Sequence, residues 1–235
     1  MPTRVMDRQK VRRLVEEEQA QLVEVLPREE YEQAHLPGAV HLWLRDLDRE
    51  ARNRLDPNRP VVVYCWDWLC DMSPRAAAQL EQLGFRQVYD YVPGKADWLA
   101  AGLPTEGPAA ESLSAGDVAR RTVVTCRADA PAGLVLDRMR EAGQAVGVVV
   151  DDDQVVTGLL RRREAEAHPG VGVKQVMRPG PATVRANEPL GPLLERMAKA
   201  GVDTIVVTDP EGRLLGLMDR TSGEQAVRAH PAMTA

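Results

Sequence analysis

The residues best placed for chemistry surround Cys65. The segment VVVYC at 61–65 is an apolar, β-branched run that predicts a strand ending on the cysteine. The segment WDWLCDM follows, and then a helix predicted to open at Ser73-Pro74, since serine favours the N-cap and proline the first turn. The amides at such a helix start should converge on Cys65 and favour its thiolate, the form in which cysteine acts as a nucleophile.

The charges of the following loop partly oppose that ionisation. Asp67 and Asp71 bring carboxylates, and one of them at about 6 Å would disfavour the thiolate by about 0.7 to 2.8 kcal/mol, depending on solvent screening. Arg75, one turn into the helix, is the nearest fixed cation. Because a helix start with cationic help lowers the pKa of a cysteine by more than this penalty raises it, we expect Cys65 to be a partial thiolate.

The two other cysteines have different expected roles. Cys70, five residues from Cys65 on the same loop, could attack a persulfide or sulfenate there and close a disulfide. Alternatively, it is a small, half-buried loop residue. A metal site is not expected, because no second cysteine pair or spaced histidine cluster accompanies it. Cys126 is predicted to lie in a core, and all three cysteines are expected to be free thiols.

Length and composition predict a two-domain protein. The chain has 235 residues, of which 44% are hydrophobic, enough for two cores.

No apolar stretch is long enough to span a membrane, and the N-terminus is charged and amphipathic, unlike a signal peptide, so a cytoplasmic protein is expected. Up to residue 105 there are 14 Lys and Arg against 17 Asp and Glu, and the remainder carries 16 against 18. Since neither half is basic, no nucleic-acid partner is expected.

The second half of the chain contains an internal repeat with an offset of 58 residues. Without a gap, about 17 of the 45 positions from Arg120 to Glu164 are identical to the residue 58 positions later. Each copy predicts a helix ended by a glycine, then a valine-rich strand, an acidic turn, a second strand and a second helix. The helix after Pro131 or Pro189 is predicted to present an apolar face of Leu134, Leu136 and Met139 in the first copy and of Leu193, Leu194 and Met197 in the second.

One copy is too small to bury its own sheet, so the two copies are expected to pack together as one module. The stretch before them is rich in Pro, Gly, Ala and Ser and predicts a linker. The predicted organisation is a first domain over residues 1–105, a linker over 106–116, and repeat units over 117–176 and 177–235.

The first half predicts an α/β fold. Strands are predicted at 22–25, at 61–65 and within FRQVYDY after Gly84, alternating with helices, a pattern typical of a parallel sheet. In such sheets the functional loops follow the carboxyl ends of strands. Cys65 is at such an end.

Four ordered segments of this half resemble the rhodanese-like, or sulfurtransferase, family. LVEV at 22–25 resembles the first strand of that family. EYEQAHLPGA at 30–39 is similar to the signature Glu-Tyr/Phe-x-x-Gly-His-Ile-Pro-Gly-Ala. VVVYC at 61–65 matches the strand and nucleophile, and VPGKADWLAAGLP at 92–104 matches the closing segment. The resemblance implies a rhodanese-like parallel sheet with flanking helices.

The resemblance also implies a mechanism. In active members the loop cysteine takes the outer sulfur of a donor such as thiosulfate or mercaptopyruvate, becomes a persulfide, and passes the sulfur to a thiol acceptor, with no cofactor required. Amides of residues 66–71 would cradle the anionic donor. Active members typically carry arginine where Cys70 stands, and the loop here is about two residues longer. Cys65 matches the nucleophile of the family, and Cys70 and Arg75 are candidate catalytic residues by their positions near it. The candidate substrate loop consists of Trp66, Asp67, Trp68, Leu69, Asp71, Met72 and Ser73.

The repeat resembles the tandem cystathionine-β-synthase (CBS) domain pair, often called a Bateman module, over roughly residues 113–225. The resemblance implies an α/β module whose cleft binds adenosine-containing ligands (AMP, ATP or S-adenosylmethionine) as regulators, and a homodimer formed through the pair. The residues implied in nucleotide binding are Thr125, Arg161 and Glu164 in the first copy and Thr183, Asp219 and Ser222 in the second.

Neither copy keeps the nucleotide-binding pattern of that family. Arg161 and Asp219 stand where the family has Thr or Ser, and Glu164 and Ser222 stand where it has Asp. Glu164 could still hold a ribose. The arginines at 161–163 could meet phosphates or could form a solvated helix start.

Three functions remain open on the sequence. The first is a sulfurtransferase or sulfur carrier with a Cys65 persulfide, regulated by a nucleotide on the CBS pair. The second is an inactive or weakly active rhodanese-like binding module with a ligand-sensing CBS pair. The third is a cysteine phosphatase, which needs an arginine inside the loop, whereas Arg75 comes late.

Overall fold

The strand predicted before Cys65 is the middle strand of a five-stranded sheet in the computed structural model, which describes residues 4–108 and 112–230. The strands of this unit are β1 (Arg4–Val5), β2 (Gln21–Glu24), β3 (Val40–His41), β4 (Val61–Tyr64) and β5 (Val88–Tyr91). Its helices are α1 (Arg8–Glu18), α2 (Arg28–Gln33), α3 (Leu47–Arg54), α4 (Met72–Gln82) and α5 (Gly94–Ala100). The strand order is β1-β5-β4-β2-β3, and every neighbouring pair is parallel, so the predicted α/β fold is confirmed.

Alternation along β4 covers the sheet on both faces. Val61 and Val63 pack into one core with residues of α3 and α4. Val62 and Tyr64 pack into a second core with residues of α1 and α5. All four side chains are fully buried, as expected for the central strand of a parallel sheet. Cys65 continues the period of Val61 and Val63 and packs into the same core as they do.

The second unit contains the repeat. By their internal contacts, residues 100–102 and those from Leu113 onward form this unit, while the first unit takes in residues up to Leu99 and Leu103–Ser112. Its strands are β6 (Thr125–Cys126), β7 (Val146–Val150), β8 (Val156–Arg161), β9 (Arg178–Pro179), β10 (Thr183–Arg185), β11 (Thr204–Thr208) and β12 (Leu214–Asp219). Its helices are α6 (Ala115–Val118), α7 (Ala132–Glu141), α8 (Arg162–Ala167), α9 (Val173–Val176), α10 (Leu190–Ala200) and α11 (Arg220–Ala229).

The two copies repeat the same strand pairings. β6 and β7 are parallel and β7 and β8 antiparallel, and the equivalent β10, β11 and β12 pair in the same way. Helices α7 and α10 end just before Gly143 and Gly201, as predicted. One predicted core residue is wrong: Leu134 is 64% exposed, and its neighbour Val135 is buried instead. Cys126 is buried, as predicted.

The copies pack together, which confirms the expectation of a single module. Val148 and Val150 of the first copy share a core cluster with Val206 and Leu217 of the second. The turns of the two hairpins also pair, since the amide of Leu214 donates to the carbonyl of Gln154 at 3.1 Å. Each copy alone would leave the valines of this cluster facing water.

Two short helices link the copies crosswise. Helix α6 precedes the first copy but docks on the second, where the amide of Ala115 donates to the carbonyl of Glu188 at 2.9 Å. The equivalent helix α9, 58 residues later, docks on the first copy, where the amide of Val173 donates to the carbonyl of Ala130 at 2.9 Å. The predicted linker therefore ends before Ala115, because 115 and 116 belong to α6, and its residues 109–111 lie outside the described residues.

Over residues 4–108 and 112–230, none of the helices combines the length and the apolar character that a bilayer crossing requires.

The connection from β5 into α5 approaches the backbone that follows β4. The amide of Lys95 donates to the carbonyl of Cys65 at 3.0 Å, and the amide of Ala96 donates to that of Trp66 at 2.9 Å. Gly94 has a φ of +64°, and a Cβ added there would lie 2.6 Å from the carbonyl oxygen of Cys65. Glycine is required at this position both by conformation and by space.

Gly94→Ala is expected to lower the free energy of unfolding by about 2 to 4 kcal/mol, combining left-handed strain with a backbone clash. Gly84→Ala is the matched control, because Gly84 also has a positive φ (+94°) but has no atom within 4 Å of its added Cβ. It should lower the free energy by only about 1 to 2 kcal/mol. Urea unfolding of the full chain measures both, and equal losses would contradict the close approach.

Candidate active site

The loop that follows Cys65 leads into α4, but the helix does not begin as predicted. It starts at Met72, and Ser73 lies in its first turn instead of capping it. The position before the helix is Asp71, whose side chain makes no capping hydrogen bond. Ser73 is fully buried and its hydroxyl oxygen lies 3.3 Å from the sulfur of Cys65. The serine side chain therefore contacts the cysteine and does not cap the amino terminus of α4.

The sulfur of Cys65 is buried, and the predicted partial thiolate is wrong for this conformation. The residue is 0% exposed, and its thiol donates to the carbonyl oxygen of Cys70 at 3.5 Å. Burial, together with a smaller contribution from the neighbouring Cys70, raises the pKa of Cys65 to about 11. The hydroxyl and amide of Ser73 act in the opposite direction and lower the pKa without offsetting the burial.

The amides predicted to cradle an anion are partly used inside the loop. The amide of Leu69 donates to the Asp67 carboxylate at 3.0 Å, and the amide of Cys70 donates to the Asp67 carbonyl at 3.2 Å. Asp67 thus takes two of the donors that would otherwise be offered to a substrate. These two amides are therefore not available to the sulfur of Cys65 in this conformation.

The remaining loop residues divide between core and solvent. Cys70 and Met72 are half-buried and pack against the α3–α4 core. The side chains of Trp66, Trp68 and Leu69 point outward, with exposures of 42%, 70% and 93%. The loop therefore closes over the sulfur with its backbone and presents large apolar side chains to solvent.

Arg75 does not act as a cation for the sulfur. Its guanidinium lies 3.4 Å from the carboxylate of Asp71, and both side chains are exposed. The structure thus brings together Cys65, Cys70 and Ser73, and it places Arg75 on the surface. The prediction that Arg75 assists Cys65 finds no support in this arrangement.

A buried ion pair below the loop was missed from the sequence. Lys95 and Glu24 are both fully buried, with Nζ 2.5 Å from Oε1, and Nζ also donates to the carbonyl of Glu30 at 2.8 Å. The ammonium lies 5.5 Å from the ring centroid of Trp66, within range of a cation–π contact. The only sequence signal was a glutamate inside the apolar strand LVEV, which required a buried cation that no local pattern identifies.

One cavity of the first unit lies away from the Cys65 loop. It has a volume of about 350 Å³ and is lined by residues of α2, β3 and α3, among them Tyr31, His41 and Arg54. None of its lining residues belongs to the Cys65 loop. Since Cys65 is also fully buried, the site around its sulfur is closed in this conformation.

The residues predicted to bind nucleotide in the first copy are only partly brought together. Glu164 accepts from the amide of Arg161 at 3.2 Å and pairs with Arg178 at 3.1 Å. Thr125 begins β6, which is separated from Arg161 at the end of β8 by β7. Helix α8 begins at Arg162, which is half-buried, whereas Arg163 is exposed. Of the arginines predicted to form a solvated helix start, only Arg163 fits that description.

The second copy has a similar arrangement with different groups. Asp219 ends β12 and accepts from the hydroxyl of Thr204 at 2.7 Å, while the Arg120 guanidinium lies 4.0 Å from its other oxygen. Ser222 is exposed in the first turn of α11, and Thr183 is exposed at the start of β10. The two copies therefore present one carboxylate each beside a strand end.

Comparison with known proteins agrees with both halves of the fold. The model of the rhodanese-like domain matches residues 7–101, and that of the CBS domain matches residues 115–165 and 173–222. The two CBS matches begin 58 residues apart, at the offset of the repeat. They begin at the first residues of α6 and α9.

Two curated relatives match part of the chain. The candidate sulfur carrier protein YrkF of Bacillus subtilis is 35% identical over 82 residues, covering 35% of this chain and 43% of YrkF. The thiosulfate sulfurtransferase GlpE of Coxiella burnetii is 31% identical over 87 residues, covering 37% of this chain and 78% of GlpE. The chain thus spans less than half the length of YrkF.

Among solved structures, that of CBSX2 in complex with AMP is similar to the chain with a TM-score of 0.46. The sequences are 18% identical, and the match covers 51% of this chain and 99% of CBSX2.

Lys95→Met is expected to lower the free energy of unfolding by about 3 to 5 kcal/mol, because it leaves the carboxylate of Glu24 buried without its cation. The double variant Glu24→Gln/Lys95→Met removes both charges and should recover most of this loss. Urea unfolding of the three proteins at pH 7.5 measures the difference, and equal losses in the single and double variants would contradict a role for charge.

The same variant should show a defined pH dependence. Burial already raises the pKa of Glu24, and the Lys95 ammonium lowers it, so the substitution raises it further. A carboxyl whose pKa is higher in the folded than in the unfolded state loses stability as the pH rises from the unfolded to the folded value. The deficit of Lys95→Met should therefore shrink when unfolding is measured at pH 5.

Proposed function

The chain consists of a rhodanese-like domain followed by a pair of CBS domains, and from this we propose that it is a sulfurtransferase or sulfur carrier that forms a persulfide on Cys65. The observation that carries the proposal is the position of Cys65 at the carboxyl end of the central parallel strand, against the first turn of α4. The similarity to a thiosulfate sulfurtransferase at 31% identity supports the same chemistry.

The proposed reaction has two transfers of one sulfur atom. The Cys65 thiolate attacks the outer sulfur of a donor such as thiosulfate, a new S–S bond forms at Cys65, and sulfite leaves with the electron pair of the broken bond. The thiolate of an acceptor then attacks the outer sulfur of the persulfide, and Cys65 leaves as thiolate. The donor and acceptor are small molecules, and no cofactor takes part.

The closed loop must open for this reaction. The donor is an anion, and the amides of Leu69 and Cys70 can bind it only after they leave Asp67. The side chains of Trp68 and Leu69 are largely exposed, so burial does not oppose their movement. We assign Cys65 as the nucleophile and the segment from Trp66 to Met72 as the substrate loop.

Cys70 is proposed to resolve the persulfide. Its thiol attacks the inner sulfur of the Cys65 persulfide, a Cys65–Cys70 disulfide forms, and hydrogen sulfide leaves. The proposal rests on the proximity of the two cysteines: the sulfur of Cys65 lies 3.5 Å from the carbonyl oxygen of Cys70, and the side chain of Cys70 raises the pKa of Cys65. The half-buried packing of Cys70 is the observation that favours a structural role instead.

The CBS pair is proposed to bind an adenine nucleotide or S-adenosylmethionine that regulates this activity, and to form a homodimer. The AMP complex of CBSX2 is an example of a protein with this fold that binds such a ligand. Glu164 and Asp219 each place a carboxylate beside a strand end, where it can bind the ribose hydroxyls. The guanidinium groups of Arg161 and Arg163 are the candidate partners for phosphate.

A second candidate function is favoured by the burial of Cys65. A sulfur that is closed off and has its pKa raised to about 11 is also what an inactive rhodanese-like recognition module would contain. In that case the exposed loop serves recognition and the CBS pair alone senses ligand.

Mass spectrometry after incubation with thiosulfate distinguishes the two functions. The enzyme should gain about 32 Da, one sulfur atom, and Cys65→Ser should gain nothing because it lacks the nucleophile. Cys126→Ser is the matched control, since Cys126 is buried in the second unit, and it should gain the full adduct. If the chain gains no mass, or if Cys65→Ser still does, the sulfurtransferase proposal fails.

The same measurement tests Cys70. If Cys70 resolves the persulfide, the adduct should persist longer in Cys70→Ser than in the parent chain. The parent should release sulfide and end about 2 Da below the mass of the reduced, unmodified chain, because a disulfide has formed. Identical adduct lifetimes would assign Cys70 to packing.

Thermal unfolding tests the CBS ligand. At about 100 times its Kd, a ligand adds about 2.7 kcal/mol to stability, so AMP, ATP or S-adenosylmethionine should raise the Tm by several degrees. Glu164→Gln should reduce the shift, because it removes the charge while keeping an acceptor for the Arg161 amide. A Tm that none of the three ligands changes would contradict the sensing role.

A further inference from the structure

The cavity lined by α2, β3 and α3 has no role in the proposed function. Its volume of about 350 Å³ is within the range of small-molecule sites, roughly 300 to 1,000 Å³. The lining residues with polar side chains are Arg28, Tyr31, Glu32, His41 and Arg54. The lining thus contains two guanidinium groups and an imidazole but a single carboxylate, a balance that favours an anionic ligand.

Three of these side chains are held in place by backbone carbonyls. The hydroxyl of Tyr31 donates to the carbonyl of Ala39 at 2.8 Å, and Nε2 of His41 donates to that of Leu26 at 2.9 Å. Nη1 of Arg54 donates to the carbonyl of His41 at 2.8 Å. Because these side chains are already fixed, they lose little conformational entropy when a ligand binds, and the cavity has the character of a preformed site.

Stacking makes one side of the cavity rigid. The ring of Tyr31 is stacked on that of His35, with centroids 3.8 Å apart and planes inclined by 13°. The ring of His41 is 5.0 Å from that of Tyr31 and inclined by 33°. The three rings together form an aromatic wall against which an organic group can pack.

The two guanidinium groups have only weak competitors for an anion. Nε of Arg28 lies 2.6 Å from Glu32, and Nη1 of Arg54 lies 3.3 Å from Glu50. Each pair joins residues four apart on one exposed helix surface, where water screens the attraction and the pair contributes little to stability. An anion bound between the arginines can therefore replace either glutamate.

The other carboxylates near Tyr31 are engaged with other cations or rings. Burial raises the pKa of Tyr31, with smaller contributions from Glu106 and Glu24, so both carboxylates are near its ring. Glu24 pairs with the buried Lys95, and Glu106 lies 3.2 Å from Nε2 of His35. Neither belongs to the lining of the cavity.

We propose that this cavity is a binding site for a small organic anion, whose phosphate or carboxylate group is bound by Arg28 and Arg54. A guanidinium group binds either oxyanion through paired, charge-assisted hydrogen bonds. The cavity is larger than a bare oxyanion, and the remaining volume accommodates the organic part of the ligand beside the ring of Tyr31. None of the lining residues belongs to the Cys65 loop, so this is a second site that does not depend on sulfur transfer.

The test uses the four histidine rings of the full chain as reporters in NMR spectra. Inorganic phosphate and succinate are titrated separately at pH 7.5 and constant ionic strength, and each ring signal is assigned by substitution with glutamine. The signals of His41, which lines the cavity, should shift along a saturating curve. His168 and His230, in the second unit, report any general effect of the added salt. The probe that binds more tightly identifies the oxyanion group.

Arg54→Gln and Arg28→Gln should each weaken binding by about tenfold or more, because each removes a charged donor from the oxyanion. Both side chains are exposed, so the fold should persist, and circular dichroism verifies this. Arg49→Gln is the matched control. Arg49 is an exposed arginine of α3 that pairs with Asp46 and does not line the cavity, so its substitution should leave the affinity unchanged.

A His41 shift that does not saturate with either probe overturns the inference. So does a saturating shift whose affinity is unchanged in Arg54→Gln or in Arg28→Gln, because the site would then not be the one described. The measurement does not involve Cys65, so the anion site and the sulfurtransferase function can fail separately.

Discussion

The removal of the Cys65 sulfur from water governs the chemistry of the first unit. A thiol surrounded by protein loses the solvation that stabilises its anion, and the pKa of Cys65 rises to about 11 for this reason. The carbonyl of Cys70 beside the sulfur adds to the effect, because an acceptor stabilises the protonated form. The proposed role of Cys65 as a nucleophile therefore requires the loop over the sulfur to open.

The alternation of side chains along the strand determines the face of the sheet on which Cys65 lies. Because β4 is buried on both faces, each of its side chains packs into one of the two cores. Cys65, the residue after the strand, follows the same alternation. Cys65 therefore enters the α3–α4 core, where Asp90 of the neighbouring strand and Ser73 of α4 also lie. The opposite face instead holds the Lys95–Glu24 pair, and Lys95 fixes the carbonyl of Cys65 through its amide.

The sequence predicted the elements well because their signals are local, and it predicted the site less well because its contacts are not. The β-branched run at 61–65 and the 58-residue repeat specify strands and their order without any knowledge of tertiary contacts. Leu134 shows the limit of a helix-face assignment made by hydrophobicity alone: the repeat register equates Val135 with the buried Leu193, and that comparison would have identified the correct residue. Ser73 was assigned as a cap from its type and position, yet its hydroxyl faces a cysteine that lies beyond the helix. Lys95 could not be paired with Glu24 from sequence, since 71 residues separate them.

In the loop after Cys65, Asp67 binds the backbone amides that an anionic substrate would also need. Asp67 accepts hydrogen bonds from the amides of Leu69 and Cys70, which are the donors that an anionic sulfur compound would need. In the absence of a donor molecule, the carboxylate and carbonyl of Asp67 satisfy these amides, and the loop stays closed over the sulfur. Under the proposed function, a donor anion that took the same amides would release Asp67 and remove two hydrogen bonds within the loop. Under the proposed function, donor binding and loop opening would then be coupled, and the sulfur would stay covered until a donor is present.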